Sequence, residues 1–170
     1  VGLIWGFLKY HHPAIAEGKY QWDYELFRIL PAVSLVSTDQ QFDSLMIQWI
    51  HRLGPIGAPA KKDSVLSEIK LAPDHSWMNR SSLSPDLKAL LYQIRDVKKS
   101  PDHYYVWIHP FIGYPDFKHE NKYDKSPYPD TGFRLLALYR YWNIIHYFFP
   151  YRYLMDENWN DILPAFIPKV

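Results

Sequence analysis

Residues 133 to 150 read FRLLALYRYWNIIHYFFP, and the architecture can be worked out from them. Their apolar side chains recur at steps of three and four residues, the spacing of a helix that buries one face. These are Leu135, Leu138, Tyr139, Trp142, Ile145 and Phe149. Further apolar residues leave little of the circumference polar. The pattern predicts a central helix packed on most sides, which begins at Asp130 or Thr131 and ends at Pro150.

The same pattern is repeated near the start of the chain. When the sequence is shifted by 137 residues, so that Trp5 lies over Trp142, identities appear without a gap. The matched pairs are Trp5 with Trp142, Tyr10 with Tyr147, Pro13 with Pro150, Trp22 with Trp159, Leu26 with Leu163, Pro31 with Pro168 and Val33 with Val170. Because two pairs involve the rare residue tryptophan, the match indicates a repeated helix–loop–helix unit rather than coincidence.

Local signals place the remaining elements. A first helix ends before Pro13, residues 14–21 form a loop, and a second helix begins at Trp22 and kinks at Pro31. A capping box at Thr38 begins a third helix that ends at Gly54, and 54–62 is a loop.

Ser84 and Pro85 begin a fourth helix. Residues 103–110 have the composition of a strand that pairs with 117–123, and 159–167 form a last helix. Residues 63–80 fit a strand or a short helix, with Trp77 as an anchor. The prediction is a mainly α fold in one domain, residues 1–170. It is a bundle of about six helices with a small β-hairpin and two related helix–loop–helix units at the chain ends.

Composition excludes several classes of function. The 170 residues carry a net charge of +1, which gives no basic patch for nucleic acid or an anionic membrane. There is no cysteine, so neither a disulfide framework nor a thiolate metal site can form. No apolar run reaches the roughly 20 residues of a membrane span. The chain opens inside a helical pattern without a start methionine, which predicts a fragment of a longer protein.

Aromatic residues make up 18% of the chain, a set that can fill a core and still leave an amphipathic surface. Those left outside the core are candidates for a docking surface, since interfaces favour Tyr and Trp. The predicted docking residues are Tyr10, Tyr20, Trp22, Tyr151 and Tyr153. The alternative is that these side chains only pack the loops between helices.

No catalytic, cofactor-binding or metal-binding residues are predicted. His11 and His12 are adjacent and would diverge on a helix, whereas His109, His119 and Glu120 could meet only if the hairpin forms. Ser81, Ser82 and Ser84 lie in a helix-capping context, and Ser100 with Lys98 and Lys99 lies where a helix ends, so neither group makes a convincing nucleophile and base. There is no glycine-rich phosphate loop.

Two aromatic blocks carry a resemblance to a known family. They read WGFLKYHHPAIAEGKYQWDYELFRILP at residues 5–31 and PDTGFRLLALYRYWNIIHYFFPYRYL at 129–154, followed by NWNDILPAFIP at 158–168. The sequence resembles the N-terminal helical region of bacterial carboxyl-terminal processing (tail-specific, tricorn-like) serine peptidases. The resemblance covers most of the chain and is vague from 55 to 85.

This resemblance implies a domain that precedes a catalytic core with a Ser nucleophile and a Lys or His base. None of the catalytic motifs falls on this sequence. It implies three partners: the C-terminal peptidase core of the same polypeptide, a polypeptide substrate, and a second copy in a homo-oligomer. It also implies export to the periplasm or cell envelope. Two alternatives stay open: a freestanding aromatic-rich module that binds peptides or saccharides, and a small hydrolase with an unrecognised site.

Overall fold

The computed structural model describes residues 1–60, 74–80, 82–100, 102–124 and 128–170, and the side chain of Arg80 lies outside this description. The described elements are α1 (Gly2–His11), α2 (Pro13–Ala16), α3 (Trp22–Ser34), α4 (Asp39–Arg52), α5 (Trp77–Arg80), α6 (Pro85–Asp96), β1 (Val106–Ile108), β2 (Pro115–Phe117), α7 (Thr131–Phe148) and α8 (Trp159–Phe166). Short 3-10 turns at Arg152–Leu154 and Ile167–Lys169 flank α8. The predicted class is confirmed: the fold is mainly helical with a small antiparallel hairpin.

The predicted helix starts are confirmed by capping hydrogen bonds. The Thr38 hydroxyl accepts from the Gln41 backbone N–H at 3.2 Å, and the Ser84 hydroxyl accepts from Leu87 at 3.3 Å. The Asp130 carboxylate does the same for Phe133 at 3.0 Å. Each bond satisfies one of the amide groups that the first turn of a helix leaves unpaired, so these boundaries are set locally.

The internal repeat is visible as two matching pairs of tryptophans. The Trp5 indole N–H donates to the carbonyl of Trp22 at 3.1 Å, and the Trp22 indole N–H donates back to the carbonyl of Trp5 at 3.0 Å. Trp142 and Trp159 exchange the same two bonds, at 2.9 and 3.2 Å. The rings are nearly parallel in both pairs, with centroids 6.2 and 6.1 Å apart. Each unit is therefore closed by the same reciprocal bond.

The two units meet along α1 and α7, and the residues that touch are equivalent in the repeat. Gly2 lies against Tyr139 and Gly6 against Asn143. The ring of Tyr10 lies 5.5 Å from that of Tyr147. All three contacts join residues 137 positions apart, so the helices run parallel and in register. The two units therefore pack against each other, and Trp5 and Trp142 belong to one apolar core.

The central helix α7 is enclosed on most of its circumference, as the sequence predicts. Its fully buried residues are Leu136, Tyr139, Trp142, Asn143 and His146. Tyr141 is exposed, and most of the predicted apolar stripe is only partly buried. The exposed positions between Phe133 and Phe149 are Arg134, Ala137 and Tyr141, which lie on one narrow strip of the helix, so the prediction of packing on most sides is confirmed. The buried face includes the polar Asn143 and His146.

Four smaller predictions are corrected or completed by the structure. The predicted loop 14–21 begins inside the short helix α2, whose first residue is Pro13. The second strand of the hairpin is Pro115–Phe117 rather than 117–123. The helix α3 continues through Pro31 to Ser34. Of the ambiguous residues 63–80, 63–73 lie outside the described residues, whereas Trp77 begins α5 and is buried, as an anchor should be.

A network of four charged side chains lies between α1, α3 and α7. The buried Lys9 ammonium pairs with Glu120, and Arg140 pairs with both Glu120, at 2.9 Å, and the buried Asp23. Tyr123 donates to Asp23 at 2.8 Å. Two cations face two anions, so the network is neutral as a whole, and it joins residues more than 100 positions apart in sequence.

Candidate functional site

Two of the five predicted docking residues belong to the core. Tyr10 is 7% exposed and packs edge-on against Phe148 at 4.9 Å. Trp22 is fully buried and lies between the rings of Trp5 and Trp49, with the Trp49 ring parallel at 5.3 Å. Assigning them to a docking surface was therefore wrong. Their partners come from distant segments, so their positions beside predicted loops gave no sign of burial.

The other three docking residues differ in exposure. Tyr20 is half-buried, and its hydroxyl donates to the carbonyl of Arg52 at 3.3 Å. Tyr151 and Tyr153 are 55% and 70% exposed, next to the exposed Leu154. Tyr151, Tyr153 and Leu154 follow α7, and we call these three exposed residues the tail surface. Docking at the tail surface stays a prediction.

A larger exposed apolar group lies on the β-hairpin, where the sequence predicted a strand but no docking role. Its members are Trp107, Ile108, Phe111, Ile112 and Tyr114, which we call the hairpin surface. Phe111 and Ile112, at the turn, are 98% and 76% exposed. A signal was available: a two-stranded hairpin can bury only one face, so a strand that is apolar on both faces must expose one of them.

A cavity of about 380 Å³ lies where the C-terminal ends of α1 and α6 approach each other. Its lining includes Tyr10, His11, Lys99, Ser100 and His103, and we call it the histidine cleft. Of the sequence candidates for chemistry, the structure brings His11, Lys99 and Ser100 together here. This grouping was not predicted, because α1 and α6 are far apart in sequence.

The imidazoles of the histidine cleft, and that of His75 beside it, are held in their neutral form. His11 Nε2 lies 3.2 Å from Nε2 of His75, and the Nδ1 of His103 accepts from the backbone N–H of Tyr105 at 3.1 Å. Burial lowers the pKa of His75 and of His103 to about 4, and it lowers the pKa of His11 well below its usual value. Uncharged rings of this kind can accept or donate a hydrogen bond but carry no charge at neutral pH.

One of the two lysines that line the cleft, Lys99, binds the C-terminal ends of two helices. The Lys99 ammonium donates to the carbonyl of Ile94 at 2.8 Å and to that of His11 at 3.2 Å, near the negative ends of α6 and α1. Burial lowers the pKa of Lys99 to about 8. Ser100 Oγ accepts from the backbone N–H of Asp102 at 3.3 Å. Lys99 and Ser100 are thus bonded to backbone rather than to each other.

The remaining candidates for chemistry are dispersed. Ser84 caps α6. The hairpin forms, yet His109 bonds beside its turn to Tyr114, whereas His119 stacks on Tyr104 at the other end. Glu120 pairs with Lys9. Within the described ranges, no group of three His, Asp or Glu residues is placed to hold a metal ion. Ser81 lies outside the described residues.

Comparison of the chain with protein-family models, curated proteins and solved structures finds no match. In the described part of the chain, no helix combines the length and the apolar character needed to cross a membrane.

Proposed function

We propose that this chain is the noncatalytic helical region that precedes the catalytic core of an exported serine peptidase, where it holds that core and guides a polypeptide substrate. The observation that carries the proposal is the placement of the two aromatic blocks. Trp5, Trp22, Trp142 and Trp159, which anchor the resemblance, are the residues that close the two repeat units. The resemblance therefore rests on the framework of the fold rather than on a reactive centre.

The contacts of the polar residues support the same role. In the described ranges, Lys99 binds two helix ends, Ser84 caps a helix, and the imidazoles of the histidine cleft are neutral and buried. A nucleophile needs a base within hydrogen-bond reach, whereas Lys99 and Ser84 are bonded to backbone groups and His11 lies against His75. The exposed apolar side chains of the tail and hairpin surfaces are the groups free to meet another polypeptide.

The partners follow from this proposal. They are the C-terminal peptidase core of the same polypeptide, the polypeptide substrate, and a second copy if the peptidase self-associates. Export to the periplasm or cell envelope is part of the proposal, and fractionation of cells that carry the complete gene would test it.

The function is tested by comparing this chain with the longer protein that contains it. We expect the 170-residue chain to leave casein uncut and the longer protein to hydrolyse it. In the longer protein, the double variant Tyr151→Ala with Tyr153→Ala should slow cleavage of unfolded polypeptide, and Tyr24→Ala, another exposed tyrosine, should not. Casein hydrolysis by the 170-residue chain would overturn the proposal.

The second candidate is a freestanding binding module for peptides or saccharides, and the exposed Trp107 and Tyr114 favour it. Sequencing the gene beyond residue 170 separates the two, since a reading frame that stops there favours the module. A saccharide titration followed by tryptophan fluorescence provides a second test. Saturable quenching that Trp107→Phe abolishes would support the module.

A further inference from the structure

The hairpin has one strand edge whose backbone groups are unpaired. The backbone N–H of Lys118 donates to the carbonyl of Tyr105 at 3.0 Å, and His109 donates to Tyr114 at 2.9 Å. In an antiparallel pair, alternate residues direct their N–H and C=O toward the partner strand. The backbone N–H and C=O groups of Tyr105, Trp107 and His109 therefore point toward β2. The two residues between them direct their backbone groups away from β2.

Those two residues are Val106 and Ile108. Within the described part of the chain, their N–H and C=O groups bond to no other residue. They form a row of donor, acceptor, donor and acceptor at the spacing of a strand. We call this row the free edge of β1.

The opposite edge of the hairpin is built differently. Its outward-facing residues are Pro115 and Phe117, and proline has no N–H to donate. Proline on an edge is one of the devices by which proteins prevent unwanted strand pairing. The free edge of β1 has no proline, so only one side of the hairpin offers the full pattern of strand addition.

The side chains beside the free edge are apolar. Val106 is buried, at 7% exposure, whereas the residues closer to the turn are exposed. Ile108 is 45% exposed and Trp107 is 38% exposed. The turn adds Phe111 and Ile112. The charges nearest to Trp107 are Lys118, 4.9 Å from the centre of its ring, and Asp116, which pairs with Lys118 at 3.9 Å. The surface thus presents no net charge to a partner.

We propose that the free edge of β1 binds an extended, uncharged segment of another polypeptide as a third strand of the hairpin. Unpaired backbone groups argue for a polypeptide over a lipid surface, because acyl chains cannot satisfy them. The strand β1 is only three residues long. Pairing along so short an edge buries far less than the roughly 1,000 Å² of a stable interface, so the edge suits a transiently bound chain better than a permanent subunit. The inference deepens the proposed function by naming how a substrate chain is held.

The test uses the 170-residue chain and a hexapeptide of alternating valine and threonine, acetylated and amidated at its ends. Two-dimensional ¹⁵N NMR follows the backbone amides of Val106 and Ile108. We expect both signals to shift saturably and their amide exchange to slow. The same peptide methylated on every backbone nitrogen should have no such effect, since it has lost its donors.

Two variants at one position separate backbone pairing from apolar contact. Ile108→Pro removes the outward N–H without touching the ladder to β2, and it should weaken binding by about tenfold. Ile108→Ala keeps that N–H and should weaken binding by only about two- to threefold. If Ile108→Pro disturbs the other hairpin signals, the methylated peptide still decides the question.

Each of four results would overturn the inference. The amides could stay unshifted at millimolar peptide, or the methylated peptide could bind as well as its parent. The same shifts could appear on concentrating the protein alone, with a dimer in sedimentation velocity, which would assign the edge to a second copy. Sedimentation with phosphatidylcholine vesicles, without peptide binding, would assign the surface to lipid. The hydrolysis assay is independent, so failure of the proposed function is distinguishable from failure of this inference.

Discussion

Gly6 of α1 lies directly against its repeat equivalent, Asn143 of α7. A Cβ atom at residue 6 would lie 1.9 Å from the Asn143 side chain. Asn143 is fully buried, and its amide nitrogen donates to the carbonyl of Gly2 at 3.2 Å and to that of Tyr139 at 2.8 Å. At this equivalent position the first unit has a glycine, Gly6. The second unit has Asn143, whose side chain fills the space beside the glycine and joins the two helices by hydrogen bonds.

Gly6→Ala should destabilise the protein although alanine is the better helix former. The added methyl overlaps a side chain that is bonded on both sides, and overpacking of this kind costs about 1–3 kcal/mol in the free energy of unfolding. Urea denaturation followed by circular dichroism measures it. Gly132→Ala in α7 is the control, because its Cβ would meet nothing closer than 3.3 Å, and its effect should be below about 1 kcal/mol. A stabilised Gly6→Ala variant would contradict the close packing of α1 on α7.

The two tryptophan pairs should contribute different amounts to the free energy of unfolding. Trp5→Phe leaves the Trp22 carbonyl without its donor in a site that excludes water, and should cost about 2–4 kcal/mol. Trp159→Phe removes an indole donor from the second pair, where the ring is only partly buried, and should cost roughly 1–2 kcal/mol. Chemical denaturation measures both, with the exposed Trp107→Phe as control. Equal costs for the two variants would show that water does not replace the lost bond in the second pair.

The sequence was sufficient for features that depend on near neighbours. Thr38, Ser84 and Asp130 act within three residues of their own positions, and the helices they begin were predicted with nearly correct bounds. The repeat was also visible, because the reciprocal bond between Trp5 and Trp22 requires the same residue at both ends and the same 17-residue spacing in each unit.

The features that sequence reasoning missed depend on segments far apart in the chain. Lys9 and Glu120 pair across 111 positions, and neither lies in a pattern that would predict a buried charge. His146 interrupts the apolar stripe of α7, yet it is buried because it stacks on Trp142 and its Nε2–H donates to the backbone carbonyl of Asp74 at 2.7 Å. The histidine cleft and the free edge of β1 required the packing of α1 on α6 and the register of the hairpin.

In the buried ion network, loss of the Glu120 carboxylate should reduce the free energy of unfolding more than loss of the Lys9 ammonium. Glu120→Gln removes the carboxylate that pairs with Lys9, which is fully buried, and should cost about 3–5 kcal/mol. Lys9→Met should cost less, because Glu120 keeps Arg140 at 2.9 Å. Denaturation of both single variants and the double variant gives the coupling energy. Additive effects would contradict direct pairing.

Glu120→Gln should also change how stability depends on pH. Burial already lowers the pKa of Lys9, and loss of the carboxylate lowers it further. The unfolded chain then binds a proton that the folded chain does not, so the stability of this variant should rise with pH toward the normal lysine pKa. The same pH range should leave Lys9→Met without that rise. A flat profile for Glu120→Gln would show that Lys9 finds another partner.

The buried histidines should make the protein sensitive to acid. Burial lowers the pKa of His12, His75, His103 and His146 to about 4, below the 6.5 of an unfolded chain. Between these values the unfolded state binds more protons, so stability should fall as pH falls from about 6.5 to 4, by at most about 1.4 kcal/mol per pH unit for each group. His12→Gln should reduce the fall in stability between pH 6.5 and 4, because it removes one of these buried imidazoles, as measured by denaturation at pH 4.5, 5.5 and 7.5. Equal stability at the three pH values would show that these imidazoles take up protons without leaving the folded state.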